Sequence, residues 1–392
     1  MRGAGSSCWN GGRRTEALKL KITFLLPYYP ARPTGGFRVV YEYSNRLVSR
    51  GHSVTIVHAR RLSGAAPPAG HRSLWDRAND ARSWLRNRLI RPKVNWHKID
   101  PRVDLRFVPT LDEAYIPAGD VIFATAWQTA RPVLGYSQDK GEKCYLIQHY
   151  ETWMGDKDLV DETWRSSLHK IVVSKWLHEV GKNLGCDDLT HISNGVDLNR
   201  YRLVQPIARN SRVAMMFSKV PNKGASDGIK ALEIARTKHP NLKAIFFGGS
   251  VFGRGIPSWI EYYSNPPQDF IVNEIYNNSS IFLCPSVSEG FALPPAEAAA
   301  CGCAVVSTDC GGVRDFIENG ITGLLSPPQD PEALAANLCL LLENESLRVK
   351  LATAGNRSIS RLDWERSTDQ MEHFFDRVVP GRVLKSKLPV AD

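Results

Sequence analysis

Residues 281–302 read IFLCPSVSEGFALPPAEAAACG. Ile281–Cys284 is a short apolar run closed by Pro285, the pattern of a buried strand. Ser288, Glu289 and Gly290 make a polar loop, and Pro294 and Pro295 open an Ala-rich helix. That order sets the amides of Phe291, Ala292 and Leu293 at a helix N-terminus beyond the carboxyl end of a strand. Open parallel sheets bind anions at such places, because free N–H groups and the helix dipole point at the ligand. Glu289 precedes this helix and Glu297 lies in its first turn. One carboxylate could face a sugar and the other accept from ribose hydroxyls. Acids also favour helix N-termini for structural reasons alone, so the pair leaves the chemistry open.

The same grammar runs outward in both directions. KLKITFLLP (residues 19–27) reads as a buried strand, and a loop with Gly35 and Gly36 follows it. Phe37, Val40, Tyr43 and Leu47 then recur at helical spacing until Gly51, and Ser53–Val57 is β-branched. Such a βαβ unit is parallel with a right-handed crossover. Further strands are expected at Asp120–Ala124, Cys144–Gln148 and Lys170–Ser174. The stretch VQPIARNSR (residues 204–212) is the best linker candidate. A second series follows: strands Val213–Phe217, Lys243–Phe247, Ile281–Cys284 and Ala304–Ser307, a helix over Asp227–Thr237, and another opened by Asp330 and Pro331. The last helix runs over Trp364–Val379. Two α/β domains in tandem result.

The 392-residue length suits two domains, and 43% apolar with 23% charged residues is globular composition. Disorder, collagen and coiled coil are excluded for the bulk of the chain, and no run is long enough to span a bilayer. The first residues carry charge without an apolar core and read as a loose tail, not a signal peptide. The net charge is +10; residues 1–200 hold 30 Lys and Arg against 20 Asp and Glu, and the rest balances. The basic half is therefore expected to meet something anionic. Cys301, Cys303 and Cys310 match no zinc spacing and read as small core residues in a reducing cytoplasm. Asp156-Lys157-Asp158 follows a Trp-Met-Gly loop rather than an apolar strand, and reads as a solvated loop instead of a metal site.

The stretch EGFALPPAEAAACGCAVVSTDCGGVRDFIENGITGLLSPPQDPEAL (residues 289–334) resembles the C-terminal signature of the large retaining glycosyltransferase family 4. PTGGFRVVYEYSNRLVSRGHSVTIV, KIVVSKWL and SNGVDLNRY resemble that family's N-terminal and mid-chain landmarks. The resemblance covers most of the chain. It implies an α/β GT-B fold, with two Rossmann-like domains facing across a cleft and a C-terminal helix crossing back to the N-terminal domain. The divisions expected are a tail over 1–17, an acceptor-side domain over 18–202, a donor-binding domain over 203–360, the returning helix over 361–380, and a basic tail over 381–392.

The resemblance implies a retaining, metal-independent, hexosyltransferase-type enzyme. It would move a sugar from a nucleoside-diphosphate co-substrate to an acceptor glycan in cell-surface polysaccharide synthesis, without a cofactor. Glu289 would position the sugar, Glu297 the ribose and Lys223 the diphosphate, with His149 touching the transferred sugar. Gly290, Phe291, Ala292 and Leu293 would supply amides, and Gly35 and Gly36 an unobstructed approach to the phosphates. Glu151 is a further polar candidate. The family's phosphate-clamp arginine falls near Ser218 or Lys219, neither of them Arg; Lys219 would bring charge without a planar fork. The base pocket is expected near Pro267–Ile271.

One basic segment, Leu74–Lys93, places Leu74, Ala78, Ala81, Leu85 and Leu89 on one helical face with Arg77, Arg82, Arg86 and Arg88 beside it. It reads as a headgroup-facing helix or one packed on its own domain. The first reading puts the protein on the inner face of the membrane, in the cytoplasm, near anionic lipid and a lipid-linked acceptor. Nucleic-acid binding lacks any supporting motif. The remaining alternatives are a GT-B sugar-nucleotide epimerase and a non-catalytic nucleotide-sugar or glycan-binding protein.

Overall fold

The protein is described from a computed structural model over residues 19–29, 32–62, 94–153, 155–207, 210–249 and 255–381. Its first sheet contains β1 (Lys21–Leu26), β2 (Ser53–Ala59), β3 (Asp104–Val108), β4 (Val121–Ala124), β5 (Glu142–Ile147), β6 (His169–Val172) and β7 (Leu189–His191). Their spatial order is β3-β2-β1-β4-β5-β6-β7, parallel throughout. The second sheet is built from β8 (Arg212–Met216), β9 (Lys243–Gly248), β10 (Ile260–Ser264), β11 (Ile281–Cys284), β12 (Ala304–Thr308) and β13 (Leu324–Ser326). It runs β10-β9-β8-β11-β12-β13, also parallel.

Both sheets reverse strand order beside their first strand. The crevice at such a reversal is where open α/β sheets take ligands. In the first sheet it lies between β1 and β4, and the loop after β1 carries Gly35 and Gly36. In the second it lies between β8 and β11, whose loops carry Lys223 and Glu289. The expected two-domain GT-B architecture is the one observed. Helix α1 (Gly35–Ser49) follows β1, and Gly51 ends it at φ 95°.

The other helices are α2 (Trp127–Gly135), α3 (Lys157–Arg165), α4 (Lys175–Asn183), α5 (Ala225–Lys238), α6 (Leu293–Ala300), α7 (Pro331–Glu343), α8 (Glu345–Ile359) and α9 (Trp364–Val378). The Asp156-Lys157-Asp158 reading needs correction. The Asp156 carboxylate accepts from the Asp158 amide and caps α3, so the motif starts a helix instead of lying in a loop.

Helix α9 returns to the first sheet, as the family resemblance implies. Trp364, Thr368, Met371 and Phe375 form its buried stripe, and Asp363 caps it through the amides of Glu365 and Arg366. The Trp364 ring meets Tyr43 of α1 edge-on at 5.2 Å, and Phe374 and Phe375 pack on Phe123 of β4. Just past α1, Arg50 pairs with Glu365, Asp369 and Glu372, and His52 Nε2 lies 3.0 Å from Glu372. Burial alone would raise the Glu372 carboxyl, but His52 and Arg50 outweigh it and hold it at about 2.

Arg50→Ala is expected to destabilise the protein by about 1–2 kcal/mol, since partly exposed pairs contribute up to about 1 kcal/mol each. Glu372 titrates below an ordinary carboxyl, so its contribution is complete above about pH 5 and is lost as pH falls toward 2. Thermal melts of both proteins from pH 7 to 3 should converge at the acid end.

Candidate functional site

The N-terminal face of the cleft begins with α1. Thr34 is its extended N-cap but its hydroxyl caps no helix amide, donating to the Arg32 carbonyl at 3.2 Å; no acid occupies the first turn, and the leading amides stay open to a ligand. A side chain at Gly35 would meet nothing within 4 Å, whereas a Cβ on Gly36 would lie 3.3 Å from Gln148 Oε1. Gln148 and His149 follow β5. The Trp153 indole N–H donates to His149 Nδ1 at 3.4 Å. An indole can only donate, so Nδ1 is the acceptor and His149 Nε2 carries the hydrogen. That Nε2–H points at the Ser288 carbonyl, 3.3 Å away on the other domain. Trp176 flanks the same imidazole edge-on at 6.1 Å.

The C-terminal face is a pair of interlocked loops. Lys223 ends the turn Pro221–Lys223, and Gly224 follows at φ 60°. A Cβ on Gly224 would lie 1.9 Å from the Pro285 carbonyl, so only glycine lets the two loops meet. Asn222 ties them further, donating from Nδ2 to the Ser288 carbonyl and accepting from the Val287 amide. Lys223 Nζ then lies 2.8 Å from both Glu289 oxygens, and Ser286 Oγ donates to Oε1 at 2.7 Å. The amides of Gly290, Phe291 and Ala292 have no hydrogen-bond partner among the described residues. Ala292 takes the left-handed conformation, φ 68°, to turn the chain into α6.

The two glutamates differ electrically. Burial raises the Glu289 carboxyl, yet Lys223, Ser286 and His149 together bring it below its ordinary value. Burial opposes charge on Lys223, but Glu289 keeps it firmly protonated. At Glu297 burial wins and the carboxyl sits above its ordinary value. Its partner is Arg38 of α1, whose Nη1 lies 2.5 Å from Oε1 across the cleft.

Glu289, Lys223, Gly290, Phe291, Ala292, Leu293 and Glu297 therefore gather on one side of the cleft, and Gly35, Gly36 and His149 on the other. Lys219 is exposed and has no side-chain partner among the described residues. The Pro267–Ile271 stretch forms a short helical turn, with Phe270 against Tyr263 at 4.7 Å. Glu151, a further polar candidate, is part-buried and accepts from the Trp127 amide at 2.9 Å, at the start of α2. The Leu74–Lys93 segment and the tails 1–17 and 382–392 lie outside the described residues. Cys301, Cys303 and Cys310 are buried free thiols, and Cys303 donates to the Tyr276 and Ser279 carbonyls. Among the described residues no three His, Cys, Asp or Glu side chains come together as a metal-holding group.

Sequence reading missed Arg38, Gln148, Asn222, Ser286 and Trp153. Arg38 sits in a helix whose periodicity reports only its apolar face. Asn222 lies beside Lys223, and Trp153 is four residues beyond His149; both were within reach of a local search.

The fold and cleft define a GT-B protein. Residues 205–358 match the model for glycosyl transferases group 1. The Campylobacter jejuni N,N'-diacetylbacillosaminyl-diphospho-undecaprenol alpha-1,3-N-acetylgalactosaminyltransferase is 35% identical over 106 residues, 27% of this chain and 28% of that protein. The Thermomonospora curvata D-inositol 3-phosphate glycosyltransferase is 32% identical over 199 residues, 46% of each. The chain thus spans under half the length of these relatives. Two solved structures share the whole architecture at 16% identity. Sucrose-phosphate synthase from Thermosynechococcus elongatus has a TM-score of 0.66, covering 92% of this chain and 99% of its own. Anabaena HepE in complex with UDP and glucose has a TM-score of 0.67, with coverage of 91% and 100%.

Two outcomes follow from the geometry. A Cβ on Gly290 would lie 1.7 Å from the Gln148 carbonyl of the opposite domain. Gly290→Ala is expected to fold but hold the cleft wider, seen as a larger radius of gyration in X-ray scattering. Burial pushes the Glu151 carboxyl up to about 7, above its unfolded value, so stability declines as pH rises from about 4 to 7. Glu151→Gln keeps an acceptor for the Trp127 amide and should melt higher than wild type at pH 8 but not at pH 4.

Proposed function

We propose that the protein is a retaining glycosyltransferase of the hexosyltransferase type, moving a sugar from a nucleoside diphosphate to an acceptor glycan. The observation that carries this reading is the part-buried Lys223–Glu289 pair beside three loop amides without a partner among the described residues, facing the glycine-led start of α1. Departure of a nucleoside diphosphate builds negative charge at the leaving oxygen, and fixed donors aimed there lower the barrier. Lys223, the amides of Gly290, Phe291 and Ala292, and the N-terminus of α1 supply such donors. Glu289 then orients the sugar, Glu297 takes ribose hydroxyls, and His149 offers its Nε2–H to the sugar. The acceptor hydroxyl attacks from the face the phosphate leaves and gives its proton to that phosphate, which retains configuration without a protein nucleophile or bound metal.

Glu289→Gln and Lys223→Ala should each lower transfer by at least about a hundredfold, the scale of losing one positioned charge or donor. Calorimetry must show both variants folded. Wild-type activity in either would sink the reading, and product formed without an acceptor would favour epimerisation.

The finer reading is a lipid-linked acceptor in cell-surface polysaccharide synthesis, met at an anionic membrane. It is supported by the basic excess of residues 1–200 and the Arg-flanked apolar face of Leu74–Lys93. No helix among the described residues is long and apolar enough to cross a membrane. Co-sedimentation with anionic vesicles should fall when Arg77, Arg82, Arg86 and Arg88 are neutralised together; unchanged binding removes this extension.

A further inference from the structure

Glu289 and His149 stand on opposite domains, yet the proposed transfer needs them a fixed distance apart. On the C-terminal side one strip holds both backbone groups of Glu289. Its amide donates to the Cys310 carbonyl at 2.7 Å, and its carbonyl accepts from the Gly312 amide at 3.0 Å. Gly312 opens a single helical turn, Gly312–Asp315. Asp315 ends that turn with a side chain only 2% exposed. Among the described residues, each hydrogen bond of that carboxylate goes to the N-terminal domain.

Oδ1 accepts from the amide of Lys175, the first residue of α4, at 3.0 Å. Oδ2 accepts from Ser193 Oγ at 2.9 Å and lies 3.0 Å from His191 Nε2. A carboxylate oxygen accepts, so Nε2 carries the hydrogen. Ser193 is itself fixed from α9, since Ser367 Oγ donates to its carbonyl at 2.8 Å. The residue after Lys175 is Trp176, and a Cβ on Gly311 would come within 2.5 Å of its ring. The same ring meets the His149 imidazole edge-on at 6.1 Å. The strip from Cys310 to Asp315 therefore holds Glu289 by its backbone, grips α4, and seats the indole that flanks His149. Removing the carboxylate would leave three donors of the other domain without their acceptor, a cost that falls on this junction.

We infer that Asp315 is a positioning residue for transfer: by gripping α4 and the segment past β7, it sets Glu289 and His149 at their working distance across the cleft. This rests on the donor-site reading above. Asp315 acts through the Glu289 backbone and Trp176, and its loss should divide the reaction in two. Lys223 and the amides of Gly290, Phe291 and Ala292 belong to its own domain, so the diphosphate keeps most of its donors. The sugar lies between Glu289 and His149 and needs both domains in register. Small misplacements of groups at a reacting centre cost far more in rate than in binding.

Asp315→Asn keeps the shape and an acceptor for the Lys175 amide, but turns an N–H2 group toward His191 and Ser193. Calorimetric titration of the full chain with UDP and GDP is paired with an assay of diphosphate release from UDP-glucose, UDP-N-acetylglucosamine and GDP-mannose. Asp315→Asn should bind the wild type's diphosphate with less than about a threefold change, and turn over its sugar nucleotide at least about tenfold more slowly. Asp315→Ala should show the same split, and the asparagine variant carries the test if the alanine variant does not fold. Equal losses in binding and turnover would overturn the inference in favour of a purely structural contact. Unchanged turnover in folded Asp315→Asn would overturn it too. A wild type that binds neither diphosphate, or turns over none of the three donors, would instead overturn the donor-site reading beneath it.

Discussion

Two open parallel sheets can share a ligand only if their switch-point loops come within reach of the same molecule, and in this protein a backbone contact sets that distance. Gly290 meets the Gln148 carbonyl so closely that no side chain fits between them. The contact brings the end of β5 against the loop that leads into α6. It also aligns His149 with Ser288 and Gly36 with Gln148, so the site inherits its shape from one missing Cβ. On the C-terminal side Gly224 performs the same service between the Lys223 turn and Pro285. Both glycines act by permitting approach, and the polar groups beside them become catalytic or binding candidates only because of it.

Contacts away from the ligand site hold that approach in place. Asp315 of the C-terminal domain accepts from the Lys175 amide and Ser193 Oγ, with His191 Nε2 at 3.0 Å. Helix α9 lies on the first sheet although it follows the second in sequence, and Arg50 fastens it through three carboxylates. The domains are therefore joined at the linker, at the returning helix and at the cleft. Across the cleft the Trp176 ring of α4 lies against Gly311, beside the His149–Ser288 hydrogen bond and the Arg38–Glu297 ion pair, while α9 buries an aromatic stripe on the first sheet.

The strands legible in the sequence were the fully buried ones. β1, β4, β11 and β12 are apolar runs because both faces of a parallel sheet are covered. β3, β7 and β10 stand at or near sheet edges, carry Asp, Arg, Thr and Glu, and gave no such run. Local motifs likewise disclosed Glu289, Lys223 and Gly290, because strand, loop and helix follow each other within a few residues. Arg38 and Gln148 were hidden for the opposite reason. Their importance comes from groups more than 100 residues away, and nothing in the sequence near them reports that distance.

The charge asymmetry between the two halves gains a structural meaning from these long-range pairs. Arg38 meets Glu297, Arg46 reaches Glu365, and Arg50 engages Glu365, Asp369 and Glu372. Arg32 donates to the Gly249 carbonyl as well. Part of the basic excess of the first half is thus turned inward, toward acids and carbonyls supplied by the second. A like-charged pair of domains would resist closure, and complementary faces draw it shut while screening weakens the pull only where water enters. Of these pairs, Arg38 with Glu297 joins α1 to α6 directly across the cleft.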